Sequence, residues 1–183
     1  IINLNFFFLI CAYLFLNLFY NILFKRIIYL DVFTLTFFYI VRIIAPVTLP
    51  GINLSFWFIS FSFFLFLSLA FLKKYIDFNY KNYDGIKSSM KLRDLFLNFS
   101  LGAFIVSLSV LISFFNSSEF ILKYEKIYFI YALIIPYLYW MLNLITAVRL
   151  GFVTGDPILF TLTDKKSLMS IGIASLIFIY SIL

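Results

Sequence analysis

Long runs of hydrophobic residues, separated by short polar segments, dominate this chain. Six runs can be distinguished, which we call spans a to f: residues 1–23, 30–49, 52–72, 95–115, 127–148 and 168–183. A helix of about 20 residues is roughly 30 Å long, which matches the hydrocarbon core of a bilayer. Strands of a membrane barrel would be about 10 residues long and would alternate in polarity. The pattern therefore predicts an all-α membrane protein with six transmembrane helices.

The composition supports this class and excludes several kinds of chemistry within the chain. Hydrophobic residues make up 64% of the sequence and charged residues 12%, whereas a soluble domain is about one-quarter charged. There is no histidine, and Cys11 is the single cysteine. An imidazole base, a histidine-ligated zinc site and an internal disulfide are therefore excluded.

The charged residues predict the topology. Of the 14 basic residues, 11 lie in the three polar segments that follow spans a, c and e: Lys25, Arg26, Lys73, Lys74, Lys81, Lys87, Lys91, Arg93, Arg149, Lys165 and Lys166. Because cytoplasmic loops are enriched in lysine and arginine, we expect these segments on the cytoplasmic side. Six aspartates fall on the same side: Asp31, Asp77, Asp84, Asp94, Asp156 and Asp164. Topology requires only the basic residues, so the acids indicate a polar site there, with a metal and an anionic ligand.

Arg42 and the lysine pair at the end of span c are the first candidates for such a site. A charge inside a span costs about 2.5–3.5 kcal/mol, so Arg42 either anchors an anion inside the bundle or extends towards the membrane surface. Lys73 and Asp77 are four residues apart and share a face if the helix continues. That spacing suits a cation for phosphate beside a carboxylate for a metal, but spacing alone favours a simple intrahelical ion pair.

The segment between spans e and f is the other candidate. It reads GDPILFTLTDK from Gly155 to Lys165, and the Gly-Asp-Pro triplet predicts a defined turn. The excess of basic residues that determines topology does not explain why Asp156 and Asp164 are present in this segment. We interpret the segment as a site-forming loop, with capping of span f by Asp164 as the alternative.

Several motifs, in this order, resemble the UbiA prenyltransferase superfamily: YNILFKRIIYLD at Tyr20–Asp31, DVFTLTFFYIVRIIA at Asp31–Ala45, LSLAFLKKYIDF at Leu67–Phe78, PYLYW at Pro136–Trp140 and GDPILFTLTDKKSL at Gly155–Leu168. They are most similar to the branch with decaprenyl-phosphate phosphoribosyltransferases and the membrane half of haloacid-dehalogenase-fused proteins. The resemblance implies a single domain, a nine-helix bundle with a cavity open to the cytoplasm. The six spans would be its last six helices, so we expect three more before Ile1, and a haloacid-dehalogenase-like domain upstream as a further option.

The resemblance also implies the site. Members of this superfamily bind a diphosphate donor through Mg²⁺ held by two aspartate-rich motifs, and the first of these is not found in these 183 residues. In the second, Lys73 stands where the first acid is usual, which favours the phosphoribosyltransferase-like branch. The implied catalytic residues are Asp77 and Lys73, with Asp77 also a metal ligand. The implied diphosphate and substrate contacts are Lys25, Arg26, Asp31, Arg42, Lys74, Asp156 and Asp164.

The function implied by the resemblance is transfer of a polyprenyl group from a diphosphate donor to an acceptor. The alternative is transfer of phosphoribose to a polyprenyl phosphate, and a transporter or a structural membrane subunit is an alternative of another class. We expect a polyprenyl lipid, a diphosphate donor and membrane lipid as partners, and no nucleic acid. The expected location is the bacterial inner membrane, with the site facing the cytoplasm. The 183-residue segment alone is expected to be inactive.

The topology can be tested by labelling single cysteines in a Cys11→Ser background. A cysteine introduced at Lys81 is expected to be protected from an impermeant thiol reagent in intact cells, and one at Ser118 is expected to react. Labelling of position 81 from outside would contradict the predicted orientation.

Overall fold

The computed structural model describes residues 11, 13–20, 27–45, 55–80, 90–121 and 127–182. Within these ranges the chain forms helices joined by turns, and no strand occurs in them. We call residues 13–20 helix α1. The helices that follow are α2 (Ile28–Ile44), α3 (Phe56–Tyr80), α4 (Met90–Phe115), α5 (Ser118–Ile121), α6 (Ile127–Tyr131), α7 (Ile134–Arg149), α8 (Pro157–Thr163) and α9 (Lys165–Ile182).

Among the described residues, three stretches are long and apolar enough to cross a membrane: Phe56–Asn79, Leu92–Phe115 and Phe129–Arg149. They correspond to spans c, d and e, so the all-helical, membrane-type class is confirmed. Helices α2 and α9 correspond to spans b and f, with 17 and 18 residues. Most of span a lies outside the described residues, as does the segment between spans b and c. A total of six spans therefore stays a prediction.

Helices α3 and α4 pack against each other along their length and run in opposite directions. Ser68 and Ser100 cross-link them, because each hydroxyl donates to the other residue's backbone carbonyl oxygen, at 2.8 and 2.9 Å. Phe78 and Phe96 stack nearer one end of this pair, with ring centroids 5.4 Å apart. Small side chains permit close approach of the helices, and their hydroxyls add interhelical hydrogen bonds, as is usual between membrane helices.

Beside its apolar core, the bundle buries polar side chains and exposes many large apolar ones. Buried serines lie between helices, including Ser62, Ser68, Ser100, Ser107 and Ser170. Large apolar side chains face outwards in turn, among them Phe37, Ile105 and Leu176, which are 51–69% exposed. A bilayer is as apolar as a protein core, so outward-facing leucine and phenylalanine are stable there, while polar groups must be satisfied inside.

Two boundaries differ from the sequence prediction. Helix α3 continues past span c to Tyr80, so Lys73 and Asp77 lie on its last turns rather than in a loop, since the segment contains no glycine or proline to end the helix. Span e is broken at Ala132 and Leu133. Pro136 has no N–H to donate to the Ala132 carbonyl oxygen, which instead accepts from Ile135 N at 3.2 Å.

The chain reverses after α7 through a glycine. Gly151 has a φ of 79°, which favours glycine because other residues meet a steric penalty there. Its N–H donates to the Val148 carbonyl oxygen at 3.1 Å, and the Phe152 N–H donates to that of Ala147 at 2.9 Å. This is a Schellman cap, and it ends α7 close to the end of span e.

The contact between α3 and α4 predicts that a larger side chain destabilises the protein at a buried position of α4 and not at an exposed one. Ser100→Leu should lower the free energy of unfolding by about 1–3 kcal/mol, because the larger side chain has no room at a fully buried helix crossing. Ser109 is exposed on the same helix and bonds only its own backbone in the described contacts. Ser109→Leu is therefore the matched control, and thermal unfolding in detergent measures both. Equal effects would contradict the packing described.

Candidate functional site

Asp31 and Lys74 form an ion pair that is almost completely buried. Lys74 Nζ lies 2.6 Å from Asp31 Oδ2, and the two side chains are 2% and 7% exposed. The Tyr20 hydroxyl donates to the other carboxylate oxygen of Asp31. Asp31 is in the first turn of α2 and Lys74 in the last two turns of α3, so the pair joins the start of one helix to the end of the next. Asp31 and Lys74, which were both predicted to contact the substrate, thus lie together, but they bind each other.

Lys73 and Asp156 form a second ion pair, which is accessible. Lys73 Nζ is 3.2 Å from Asp156 Oδ2, and the side chains are 33% and 25% exposed. Asp156 Oδ1 accepts from the Ile158 backbone N–H at 2.9 Å. Asp156 is therefore the N-cap of α8, with Pro157 as the first helical residue. The turn predicted for Gly-Asp-Pro is confirmed, and most of the expected loop is this short helix.

Asp164 caps the next helix, as the alternative interpretation held. Its Oδ2 accepts from the Ser167 backbone N–H at 2.9 Å, from the Ser167 hydroxyl at 2.8 Å and from the Asn143 amide at 2.8 Å. Desolvation opposes ionisation, but the hydrogen bonds from Ser167, Asn143 and the Lys166 backbone outweigh it and lower the pKa of Asp164. Because the folded-state pKa is lowered, the cap stabilises α9 fully above the ordinary aspartate pKa, and that stabilisation is lost as the pH falls through the folded-state value.

Helix α8 connects these features. Its first turn meets α3 through Asp156 and Lys73. Its last turn meets α7, where Trp140 Nε1 donates to Thr161 Oγ1 at 3.4 Å. We call the end of the bundle that carries both ion pairs and Asp164 the charged end. Sequence segments 83 residues apart meet there.

Arg42 is exposed, and its guanidinium group contacts aromatic side chains. Its Nε and Nη2 donate to the Tyr13 hydroxyl at 3.0 and 2.6 Å. Its guanidinium carbon is 5.5 Å from the ring centroid of Tyr13 and 5.8 Å from that of Tyr39. Arg42 thus links α1 to α2 by hydrogen bonds and cation–π contacts. An anchor role for an anion is not tested by this geometry and stays a prediction.

The remaining predicted residues contribute less. Lys25 and Arg26 lie outside the described residues. Asp77 is one turn beyond Lys73 on α3, partly exposed and engaged in a further interaction. Within the described part of the chain, no three acidic or cysteine side chains come close enough to share a metal ion. Since Asp31, Asp156 and Asp164 already serve lysines and helix caps, these residues do not by themselves fit an Mg²⁺ centre.

Apolar space lies along α7 and α9. A groove of about 350 Å³ lies between these helices and is lined by Trp140 and Ser170. A cavity of about 270 Å³ adjoins it against α3 and α4, and Tyr137 and Phe178 line both. The Tyr137 hydroxyl is paired with Ser107 at 2.6 Å. The lining is almost wholly apolar, which suits a hydrocarbon chain.

Sequence reasoning missed two residues of the charged end. Tyr20 is the first residue of a motif of the resemblance but has no predicted role, and Asn143 has none either. An asparagine inside an otherwise apolar span is itself a signal, because an unsatisfied amide in a membrane is unfavourable. Nothing in the local sequence indicates that Tyr20 reaches Asp31.

Comparison of the chain with protein-family models, with curated proteins and with solved structures finds no match.

The buried ion pair predicts non-additive mutations. Lys74→Met should lower the free energy of unfolding by about 3–5 kcal/mol, because it leaves the Asp31 carboxylate buried without its cation. The double variant Asp31→Leu/Lys74→Met should recover much of that loss, because it removes both charges. Chemical denaturation in detergent measures both variants. Additive losses would show that the two side chains act independently.

Proposed function

We propose that this chain is a UbiA-type membrane transferase, which transfers a polyprenyl group from a diphosphate donor to an acceptor. The observation that carries the proposal is that one bundle holds both an accessible lysine, Lys73, at its charged end and an apolar groove along α7 and α9. A prenyl diphosphate has the same two parts, an anionic head and a long hydrocarbon chain. The motif resemblance described above supports the same assignment.

The residues have distinct roles in this proposal. Departure of a diphosphate leaves negative charge, which a lysine held beside it stabilises. Lys73 is suited to this because its ammonium group is accessible, and Asp77 lies one turn further on the same helix. The apolar groove would hold the prenyl chain and keep water from the reacting carbon. Mg²⁺ is implied by the resemblance, and its main ligands would come from residues outside the described ones.

Transfer of phosphoribose to a polyprenyl phosphate is the second candidate. Lys73 favours it, because a lysine stands where the prenyl-transferring branches usually have the first acid of the second motif. Both reactions use a diphosphate leaving group and a polyprenyl substrate. A competition between labelled prenyl diphosphate and labelled phosphoribosyl diphosphate as donors distinguishes them.

In either reaction we propose that the charged end faces the cytoplasm and that the chain crosses the inner membrane six times within these residues. The concentration of basic residues supports the orientation. A transporter is less favoured, because its charged residues would gather near the middle of the membrane. Here the two ion pairs are at one end of the bundle.

The transfer reaction predicts that Asp77→Asn lowers turnover about 100-fold, because the variant would lose the carboxylate that the resemblance implies as a metal ligand. The assay is radiolabelled transfer by the full natural chain in lipid vesicles, with folded protein quantified separately. Asp94→Asn is the control, since Asp94 is exposed and pairs with Arg93 at 3.2 Å. Loss of folding in proportion to loss of turnover, or the same loss in the control, would contradict the role given to Asp77.

A further inference from the structure

We infer that the two adjacent lysines of α3 have different tasks: Lys74 is a positioning residue fixed by Asp31, and Lys73 is an exchangeable cation that Asp156 holds until an anionic diphosphate group takes its place. This inference rests on the proposed function and assigns the unliganded state of its site. In the unliganded state, the Asp156 carboxylate binds Lys73 in place of the anionic ligand.

The helix separates the two lysines. Consecutive residues of an α-helix point about 100° apart, so Lys73 and Lys74 meet different neighbours. Lys74 faces α2 and Asp31, whereas Lys73 faces the N-terminus of α8. A diphosphate contact by both lysines, as predicted from the sequence, would require one of them to leave its position.

Lys74 cannot leave Asp31 without a large loss of stability. Its side chain is 2% exposed, and Asp31 Oδ2 is 2.6 Å away. Withdrawing the lysine would leave a buried carboxylate without its cation, which is strongly destabilising. The pair therefore holds α3 against α2 and fixes the direction in which Lys73 projects.

Lys73 leaves its partner easily. The Lys73–Asp156 pair is a quarter to a third exposed, and ion pairs of this kind are weak. Asp156 is itself held in place, because its Oδ1 caps α8 through the Ile158 N–H at 2.9 Å. The lysine has a flexible four-carbon stem. Exchange therefore moves Lys73 and leaves the cap of α8 intact.

The test uses Asp156→Asn, which removes the competing charge and keeps the cap, since asparagine is as good an N-cap as aspartate. Asp94→Asn is the matched control, with the same change in net charge at an exposed position of α4. The full chain in lipid nanodiscs is treated with an amine-acetylating reagent and analysed by mass spectrometry. Inorganic pyrophosphate is the probe, and binding of labelled pyrophosphate is measured in parallel.

We expect Lys73 to be acetylated and Lys74 to be protected in every variant. Acetylation of Lys73 without ligand should rise about two- to fivefold in Asp156→Asn, corresponding to loss of an exposed ion pair. Pyrophosphate should protect Lys73, and half-protection should need about two- to fivefold less pyrophosphate in Asp156→Asn than in Asp94→Asn.

The other outcomes separate the two proposals. Pyrophosphate binding with equal half-protection in the two variants would overturn the exchange and leave the proposed function standing. Binding without protection of Lys73, or acetylation of Lys74 as fast as Lys73, would overturn the division between the lysines. Absence of pyrophosphate binding in all variants would contradict the proposed function, and the inference with it.

Discussion

The buried ion pair of Asp31 and Lys74 constrains how the helices at the charged end are arranged. Two opposite charges with almost no exposure must stay together, since each would otherwise face an apolar interior alone. They lie at the start of α2 and near the end of α3, so the pair sets the axial register of these helices. The orientation of Lys73, which directly precedes Lys74 in α3, follows from that register.

The rest of the bundle is held by small polar contacts. The serine pair between α3 and α4, the Ser107–Tyr137 contact and the Asn143–Asp164 bond each join two segments distant in sequence. In a bilayer the apolar side chains gain little by turning inwards, so hydrogen bonds and close packing determine which helix faces meet. The hydrophobic periodicity that identifies helix faces in soluble proteins is correspondingly weak in α3 and α4.

This explains what the sequence could and could not predict. Run length and glycine or proline positions locate the helices well, because both act locally: Gly151 ends α7, and Asn116 and Ser117 follow α4. Run length does not predict the extension of α3 through Lys73 and Asp77. The hydrophobic run ends where the charged residues begin, whereas the helix continues beyond them. The clustering of charges at one end was predictable from topology. Their pairing was not, because Lys73 and Asp156 are joined only by the tertiary packing of α8 against α3.

Helix α8 has an aspartate at each end, and this has a mechanical consequence. Asp156 caps its start and Asp164 follows its last turn, where it begins α9. Seven helical residues form a rod about 10 Å long, too short to bend. A tilt of such a segment at Asp156 would reach the first turn of α9, whose later turns line the apolar groove. The charged end and the apolar groove of this bundle are thus connected through one short, rigid helix.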